Sequence, residues 1–250
     1  MTENIPYLSV LVCTVPPRKQ HLNRLLSIFQ NMINKDPSLQ EKVEIIVYND
    51  NFENTVGDKR TRLTQEAKGL FSCFVDDDDV PMDNYLSRFC SIIDEHHINK
   101  PENEKIDHIG FVLAYIEPGK NPIPAFHSIV FNGWFNDRIL YTLPEFEIKE
   151  WYTTPDAPCR HTTHLNPIRT DISKKYPFPK NSRGEDMERS LKIMVDNVLK
   201  KEVIIDDVMY IYFFDVNKTL TQVENRDVAI KNQKLEWTDK PITMTCVRYL

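Results

Sequence analysis

Glycine is scarce in this sequence, with six residues in 250, against an average usage of roughly 7% in proteins. The glycines stand at positions 57, 69, 110, 119, 133 and 184. No two of them are closer than nine residues, so neither the G-x-G-x-x-G fingerprint nor the G-x-x-x-x-G-K-[ST] loop can occur. Any nucleotide that this protein binds is therefore held without a Rossmann fingerprint or a P-loop.

Features typical of disulfide-bonded, membrane and polyanion-binding proteins are also missing. The five cysteines include no C-x-x-C pair, which argues against a disulfide framework or a zinc ribbon. No apolar run approaches the roughly 18 residues of a membrane span, and the N-terminus lacks the pattern of a signal peptide. The net charge of −6 disfavours nucleic acid and anionic membranes as partners. We therefore expect a cytoplasmic protein without a membrane span.

The first hundred residues alternate between apolar runs and helical patterns. Strands are predicted at Tyr7–Thr14, Val43–Tyr48 and Phe71–Val75. After the first strand, six apolar residues recur on one face at the helical period: Leu22, Leu25, Leu26, Phe29, Met32 and Ile33. A polar helix is predicted over 57–68 and is expected to end at Gly69 in the left-handed conformation. Apolar strands separated by helices predict a parallel sheet that is covered on both faces.

The second half of the chain has a different pattern from about residue 106 onward. Strands are predicted at His108–Ile116 and Ile123–Phe131, with no long helix between them. A helix is predicted from 185, with one apolar face formed by Met187, Leu191, Met194, Val195 and Val198. Two closing strands are predicted at Val203–Ile205 and Val208–Phe214. We predict an α/β fold with a mostly parallel central sheet flanked by helices and a mixed or antiparallel second half, in a single domain over 1–250.

Four consecutive carboxylates, Asp76–Asp79, directly follow the third predicted strand. Adjacent carboxylates repel one another, and a divalent cation relieves that repulsion. The carboxyl end of a buried parallel strand is where α/β proteins bind ligands, although an acidic run can also be a solvated loop. Mg²⁺ and Mn²⁺ prefer a few carboxylates together with substrate phosphates. The run therefore favours a metal site that takes a diphosphate ligand.

A basic segment precedes the acidic run. Lys59, Arg60 and Arg62 are predicted in the first turn of a helix, where positive charges oppose the helix dipole. An anion bound at the helix start would offset this cost. The alternative is that Lys59 and Arg62 point into water.

These segments resemble the glycosyltransferases of family 2, which have the GT-A fold and use nucleotide-diphosphate sugars. The resemblance covers most of residues 7–215 and consists of LSVLVCT leading to Pro16-Pro17-Arg18, EIIVYND, GDKRTRLTQEAKGLFSCFVDDDD, and GED at 184–186. The third segment is the most specific, because Arg60, Ala67, Gly69, Asp76, Asp78 and Asp79 occupy the positions of the family motif. The resemblance implies that a nucleotide sugar binds to residues 1–105 and the acceptor to residues 106–250.

The resemblance also implies roles for single residues. The residues implied to bind the nucleotide sugar are Thr14, Pro16, Arg18, Asn49, Asp50, Arg60, Asp76 and Asp77. Asp78, with Asp76, is implied to bind Mn²⁺ or Mg²⁺. Asp186, with Glu185 beside it, is implied to be the general base, and enclosure near other acids is expected to raise its pKa. The alternative is that both acids only cap a helix.

Departures from the family pattern narrow the expected activity. Thr61 and Asn49 stand where the family usually has Asn and Asp. The Q-x-x-R-W motif is absent and no membrane helix is predicted, which disfavours a processive polysaccharide synthase. We expect a metal-dependent hexosyl- or pentosyltransferase that moves a sugar from a UDP-linked donor to an acceptor hydroxyl. The transfer is expected to invert the configuration of the sugar. The alternatives are a catalytically silent nucleotide-sugar-binding module, or the same chemistry on a hydroxylated base in DNA. The DNA alternative rests on a modest basic cluster, formed by Lys174, Lys175, Lys180 and Arg183.

Two further groups of residues could bind ligands. Cys159-x-His161-x-x-His164 has a weak zinc-like spacing, but in a strand its two histidines would face opposite sides. His164 alone could be a third metal ligand or a diphosphate contact. Eight aromatic residues lie between 126 and 152, and Trp134 or Trp151 could stack against an acceptor ring.

Overall fold

The computed structural model describes residues 5–117, 119, 121–130, 159–214 and 246–250. The elements of the first half are β1 (Leu8–Thr14), a 3₁₀ turn (Pro16–Arg18), α1 (Lys19–Lys35), α2 (Leu39–Lys42), β2 (Val43–Asn49), α3 (Val56–Glu66), β3 (Phe71–Phe74), β4 (Val80–Pro81) and α4 (Tyr85–Ile93). A π-helical turn (Asp94–Ile98) and a 3₁₀ turn (Glu102–Glu104) follow. The elements of the second half are β5 (His108–Ile116), β6 (Ile123–His127), β7 (Cys159–Arg160), β8 (Ile168–Arg169), α5 (Thr170–Ser173), α6 (Glu185–Val195), β9 (Glu202–Phe213) and β10 (Val247–Tyr249).

One sheet contains these strands. Its order is β10-β2-β1-β3-β8-β5-β6-β7, and β9 pairs with β5 and β4. The first-half strands β1, β2 and β3 are parallel, whereas β8 is antiparallel to β3, and β5 is antiparallel to both β6 and β8. The predicted α/β fold, with a parallel first half and a mixed second half, is confirmed.

The main hydrophobic core lies between the sheet and helices α1 and α4. All six predicted apolar residues of α1 are buried there, together with alternate residues of β1 and β2. A smaller cluster on the opposite face includes Leu11, Ile46 and Leu63 of α3. Because helices cover both faces, β1 and β2 can be apolar along almost their whole length.

The prediction that Gly69 ends a helix in the left-handed conformation is wrong. Helix α3 ends at Glu66, and among the described glycines only Gly119 and Gly184 have positive φ. A Cβ atom on Gly69 would lie 2.7 Å from both the backbone nitrogen and Oγ of Ser9, and the Gly69 N–H donates to Ser9 Oγ at 2.8 Å. Glycine is therefore required here by the close approach of β1.

Helix α6 buries a different face from the predicted apolar one. Met187, Leu191 and Val195 are 39%, 37% and 75% exposed, whereas the buried side includes Glu185 and Arg189. Those polar side chains have partners in the interior, since Arg189 Nε donates to the Tyr176 carbonyl oxygen at 2.8 Å. The two predicted closing strands are one strand, β9, with an irregular register opposite Val112.

Some predictions fall on residues that the structure does not describe. These are Phe131, the last residue of the strand predicted at Ile123–Phe131, and the aromatic residues beyond it up to Tyr152, including Trp134 and Trp151. The described part of that strand, β6, ends at His127, so the prediction of strand over 128–130 is wrong. Within the described ranges, no helix combines the length and the apolar character that crossing a membrane requires.

Candidate active site

The candidate site lies where the parallel strands of the first half end. Thr14 and Asn49 are the last residues of β1 and β2 and are partners in the parallel register. Pro16 begins the 3₁₀ turn after β1, and the acidic loop Asp76–Asp79 follows β3. The carboxyl ends of parallel strands form the ligand crevices of α/β proteins, so these residues share one edge of the sheet that is suited to binding.

Asp77 is an inner, buried carboxylate of the acidic loop. Its Oδ2 accepts a hydrogen bond from Thr14 Oγ1 at 2.7 Å, and its Oδ1 lies 2.5 Å from the Arg18 guanidinium. Burial raises the pKa of Asp77 to about 6, although the positive charge of Arg18 acts to lower it. Asp77 therefore joins the acidic loop to the end of β1.

Asp79 is the second buried carboxylate and joins the loop to β9. It accepts hydrogen bonds from the Tyr210 hydroxyl at 2.8 Å and from the Phe213 backbone N–H at 3.0 Å. The Tyr210 hydroxyl also accepts a hydrogen bond from the Asp76 backbone N–H at 3.0 Å. Burial raises the pKa of Asp79 well above its ordinary value. Asp79 thus has a structural role in holding the loop.

Asp78 is the most exposed carboxylate of the loop. Its side chain is 36% exposed, compared with 27% for Asp76 and 3% for Asp77. Its Oδ1 lies 2.6 Å from the Arg18 guanidinium, and no described residue contacts its Oδ2. Asp78 therefore has an oxygen available to a ligand.

Asp76 is linked to the predicted general base by two side chains. Its Oδ1 lies 3.1 Å from Arg60, whose other terminal nitrogen lies 3.1 Å from Glu185. Its Oδ2 lies 3.3 Å from Nε2 of His164, whose Nδ1 lies 3.3 Å from Asp186. The structure therefore brings the acidic loop and the Glu185–Asp186 pair together, across more than 100 residues of sequence.

Arg60 occupies the centre of this arrangement. It is 5% exposed, and its guanidinium lies 5.4 Å from the ring centre of Phe74 and 5.8 Å from that of Phe178. Aromatic faces attract cations, and the planar guanidinium can contact two carboxylates at once. Arg60 thus supplies a positive charge between Asp76 and Glu185.

The pKa values of Asp186 and Glu185 are shifted in opposite directions. Burial alone would raise the pKa of Asp186, but the hydrogen bond and charge of His164, with the charge of Arg60, lower it far below its ordinary value. The expectation that enclosure raises the pKa of this base is therefore wrong. Burial instead raises the pKa of Glu185, against the charge of Arg60. Asp186, which is 26% exposed, is thus an ionised and accessible carboxylate at neutral pH.

His164 has its own displaced pKa. Burial and the charge of Arg60 disfavour its protonation, but its contacts with Asp76 and Asp186 outweigh both effects and raise its pKa. His164 therefore bridges two carboxylates in the described structure.

The backbone N–H groups that were expected to bind an anion at the start of α3 are already engaged. The first four backbone N–H groups of the helix all have protein acceptors: Ser182 Oγ, the Asn181 carbonyl oxygen, and Oγ1 and the carbonyl oxygen of Thr55. Asp58 also lies in the first turn, where a negative charge suits the helix dipole. The helix start therefore has no free donors for an anion.

The alternative that Lys59 and Arg62 point into water is wrong for Lys59, which is buried, whereas Arg62 is exposed to water. Lys59 is 5% exposed, and its Nζ lies 3.0 Å from Asp50 Oδ1 and donates to the Thr14 carbonyl oxygen at 3.3 Å. Burial alone would raise the pKa of Asp50, but hydrogen bonds from Lys59 and Asn54 outweigh it and lower this pKa. Arg62 lies 5.2 Å from the ring centre of Tyr48. Asp50 is consequently fixed beside the end of β1.

The proposed metal ligands do not form a preassembled cage. Among the described residues, no group of three or more His, Cys, Asp or Glu side chains is arranged to hold a metal ion. The zinc hypothesis at Cys159, His161 and His164 stays a prediction, because the side chain of Cys159 lies outside the described residues. Burial lowers the pKa of His161 to about 4, so this histidine is neutral at pH 7.

Two residues of the site have no clear signal in the sequence. Arg24, on α1, donates to the carbonyl oxygens of Asp78 and Asp79 at 2.6 and 3.1 Å. Tyr210 reaches Asp79 from 131 residues away. Both contacts depend on how the sheet and α1 pack, which no local spacing encodes.

Comparison with known proteins gives structural matches only. No protein-family model and no curated protein sequence matches the chain. The crystal structure of S. aureus TarS residues 1–349 with UDP-GlcNAc matches at a TM-score of 0.57 and 18% identity, covering 92% of this chain and 68% of that chain. The corresponding UDP complex matches at a TM-score of 0.55 and 18% identity, covering 92% and 67%. A longer TarS structure matches at 0.53 and 18%, covering 83% of this chain and 37% of that one.

The matched protein is a GT-A-type glycosyltransferase. The curled mixed sheet with flanking helices therefore defines the fold class of the present chain as GT-A. At 18% identity the likeness shows the fold alone, so the activity must be argued from the site.

Proposed function

We propose that this protein is a glycosyltransferase that moves a sugar from a UDP-linked donor to an acceptor hydroxyl. The observation that carries the proposal is the link from the acidic loop through Arg60 and His164 to Glu185 and Asp186. It places candidate donor-binding and proton-accepting groups side by side at the ligand edge of a GT-A sheet. The UDP and UDP-GlcNAc complexes of the TarS structures support the choice of donor.

The nucleotide is proposed to bind where β1 and β2 end. Thr14, Pro16 and Asn49 lie there, beside the Asp50–Lys59 pair. The Oδ1 atom of Asn49 is buried and has no hydrogen-bond partner among the described residues. A base edge that donates a hydrogen bond would satisfy this oxygen. Arg18 and Arg60 supply positive charge for the diphosphate.

Mn²⁺ or Mg²⁺ is the proposed cofactor, held by Asp78 with Asp76 nearby. The donor set fits, because carboxylate oxygens suit these hard cations, and Mg²⁺ usually binds one or two carboxylates plus substrate phosphates rather than a protein cage. Asp78 has an oxygen that no described residue contacts, whereas both oxygens of Asp76 are engaged. When bound, the cation would neutralise the charge that develops on the leaving diphosphate.

Asp186 is the proposed general base. It is ionised and partly exposed, so it can accept the proton of the attacking hydroxyl. The acceptor oxygen then bonds to the anomeric carbon as the bond from that carbon to the diphosphate oxygen breaks. A single displacement of this kind inverts the anomeric configuration. The Asp186 carboxylate, in the first turn of α6, lies 3.3 Å from Nδ1 of His164.

The test combines donor binding with turnover in three proteins. Wild-type protein is titrated with UDP-sugars with and without Mn²⁺, by calorimetry and thermal shift, and donor hydrolysis is followed by UDP release. We expect Asp78→Asn to lose the Mn²⁺-dependent part of donor binding. We expect Asp186→Asn to keep donor binding but to lower UDP release by about 100-fold or more, the usual scale for a general base.

The results also separate the enzyme from a silent binding module. Mn²⁺-dependent UDP-sugar binding without UDP release in the wild-type protein, with any acceptor supplied, would favour the module. Absence of UDP-sugar binding both with and without Mn²⁺ would refute the proposed function.

A further inference from the structure

Arg18 contacts the carboxylate that is proposed to bind the metal. One terminal nitrogen of its guanidinium lies 2.5 Å from Asp77 Oδ1 and 2.6 Å from Asp78 Oδ1. The Arg18 side chain is 16% exposed and that of Asp77 is 3% exposed, so water screens the Arg18–Asp77 contact poorly, whereas Asp78 is 36% exposed. A positive charge already lies between the two carboxylates when no metal is bound.

The other loop carboxylates cannot replace Asp78 without losing contacts. Asp77 uses its two oxygens for Arg18 and Thr14, and Asp79 uses its two for Tyr210 and the backbone of Phe213. Asp76 uses its two oxygens for Arg60 and His164. A divalent cation that enters the loop must therefore share Asp78 with Arg18 or displace it.

We propose that Arg18 is a built-in counter-cation that neutralises the metal-binding carboxylate Asp78 and makes divalent-metal binding depend on a nucleoside diphosphate. In the free protein Arg18 neutralises Asp78 and opposes the metal by like-charge repulsion. A bound diphosphate offers the Arg18 guanidinium another anion, for which its planar donor geometry is suited. Arg18 then leaves Asp78 to the metal, so metal and nucleotide bind together. This inference rests on the proposed function.

The local structure supports displacement of the Arg18 side chain without loss of the loop. Arg24 holds the loop through the backbone carbonyl oxygens of Asp78 and Asp79, and Thr14 and Tyr210 hold the buried carboxylates. None of these contacts involves Arg18. The Nε atom of Arg18 is buried without a hydrogen-bond partner among the described residues, so a ligand that engages it would satisfy a group left unpaired in the free protein.

The experiment measures Mn²⁺ binding to the free protein by electron paramagnetic resonance and calorimetry, with no turnover involved. We expect Arg18→Gln to bind Mn²⁺ about tenfold or more tightly than the wild type, because a positive charge next to the metal is removed. Arg18→Lys keeps the charge but loses the planar donor set, and we expect an intermediate affinity. Circular dichroism and the melting temperature establish that each variant is folded.

Arg62→Gln is the control. It removes one positive charge from an exposed side chain that contacts Tyr48 rather than the acidic loop, so we expect less than about a threefold change in Mn²⁺ affinity. Equal tightening by Arg62→Gln and Arg18→Gln would show a general charge effect and overturn the proposal. An Mn²⁺ affinity of Arg18→Gln that equals that of the wild type would also overturn the proposal. So would the absence of Mn²⁺ binding in both the wild type and Arg18→Gln.

Titrations with UDP distinguish this inference from the proposed function. In the wild type, UDP should raise Mn²⁺ affinity beyond the Mn²⁺–UDP association measured in buffer alone, and by linkage Mn²⁺ should raise UDP affinity equally. This coupling should shrink in Arg18→Gln. Mn²⁺-dependent UDP binding with equal coupling in both proteins would refute the role of Arg18 and leave the proposed function standing. Absence of UDP binding in the wild type would refute the proposed function itself.

Discussion

Replacing Arg60 by methionine tests whether a buried charge organises the site. Arg60 is 5% exposed and lies 3.1 Å from both Asp76 and Glu185. In Arg60→Met, Asp76 keeps its contact with His164, but Glu185 loses its ion-pair partner. The Glu185 residue is only 5% exposed. Breaking a buried ion pair in this way costs about 3–5 kcal/mol.

The cost has an upper limit, because Glu185 can take up a proton instead of remaining charged. At pH 7 that protonation costs about 4 kcal/mol for a carboxyl of ordinary pKa, at about 1.4 kcal/mol per pH unit. At pH 5 it costs about 1 kcal/mol. Removing Arg60 raises the pKa of Glu185 in the folded state, so the folded variant gains protons before the unfolded chain as the pH falls. The destabilisation should therefore be about 4 kcal/mol at pH 7 and smaller by about 2–3 kcal/mol at pH 5.

Urea denaturation at pH 7 and pH 5 measures both values. Arg62→Met is the control, since Arg62 lies on the same helix and contacts the Tyr48 ring rather than a buried acid; we expect it to cost about 1 kcal/mol or less at either pH. The double variant Arg60→Met/Glu185→Gln should recover most of the lost stability. The reasoning is refuted if Arg60→Met costs no more than Arg62→Met, or if its cost is the same at both pH values.

Two further predictions concern packing and acid stability. Gly57→Ala should destabilise the protein by about 3 kcal/mol, because its Cβ would lie 1.8 Å from the Pro179 carbonyl oxygen. Gly119→Ala, where φ is +76° and no described atom lies within 4 Å of the added Cβ, should cost about 1 kcal/mol. Equal costs of the two substitutions in chemical denaturation would contradict the close packing at Gly57. Burial lowers the pKa of His161 from 6.5 to about 4. As the pH falls, His161 therefore gains a proton in the unfolded chain before it does so in the folded protein. The stability that is present above pH 6.5 is lost as the pH falls toward 4. The loss between pH 7 and pH 5 should be about 2 kcal/mol. His161→Asn should flatten this dependence in urea denaturation, and an unchanged slope would show that His161 is not its source.

Local pattern predicted the first half of the fold well. The six apolar residues of α1 are buried as the helical period indicates, and the apolar runs of β1 and β2 form parallel neighbours. Burial on both faces of a sheet leaves a sequence signal that needs no partner to be recognised. The acidic loop was also predicted at its observed place after β3, since four adjacent carboxylates follow a short apolar strand in the sequence.

Helix α6 shows where local pattern misleads. Its apolar stripe of Met187, Leu191 and Val195 predicts the buried face, yet these residues are exposed and Glu185 and Arg189 are buried. Charged side chains were buried because their partners come from distant segments, as with Arg60 for Glu185. Hydrophobic periodicity contains no information about such partners.

The sequence by itself determined the class of the fold, the loop of carboxylates and the residue types of the candidate site, because strand and helix periodicities and short motifs are local properties. Only the tertiary structure decided which carboxylate remains available. Asp76, Asp77 and Asp79 are committed to Arg60, His164, Arg18, Thr14 and Tyr210, while Asp78 keeps one oxygen that no described residue contacts. Adjacent aspartates are alike in sequence, and they differ here because folding brings each a different partner.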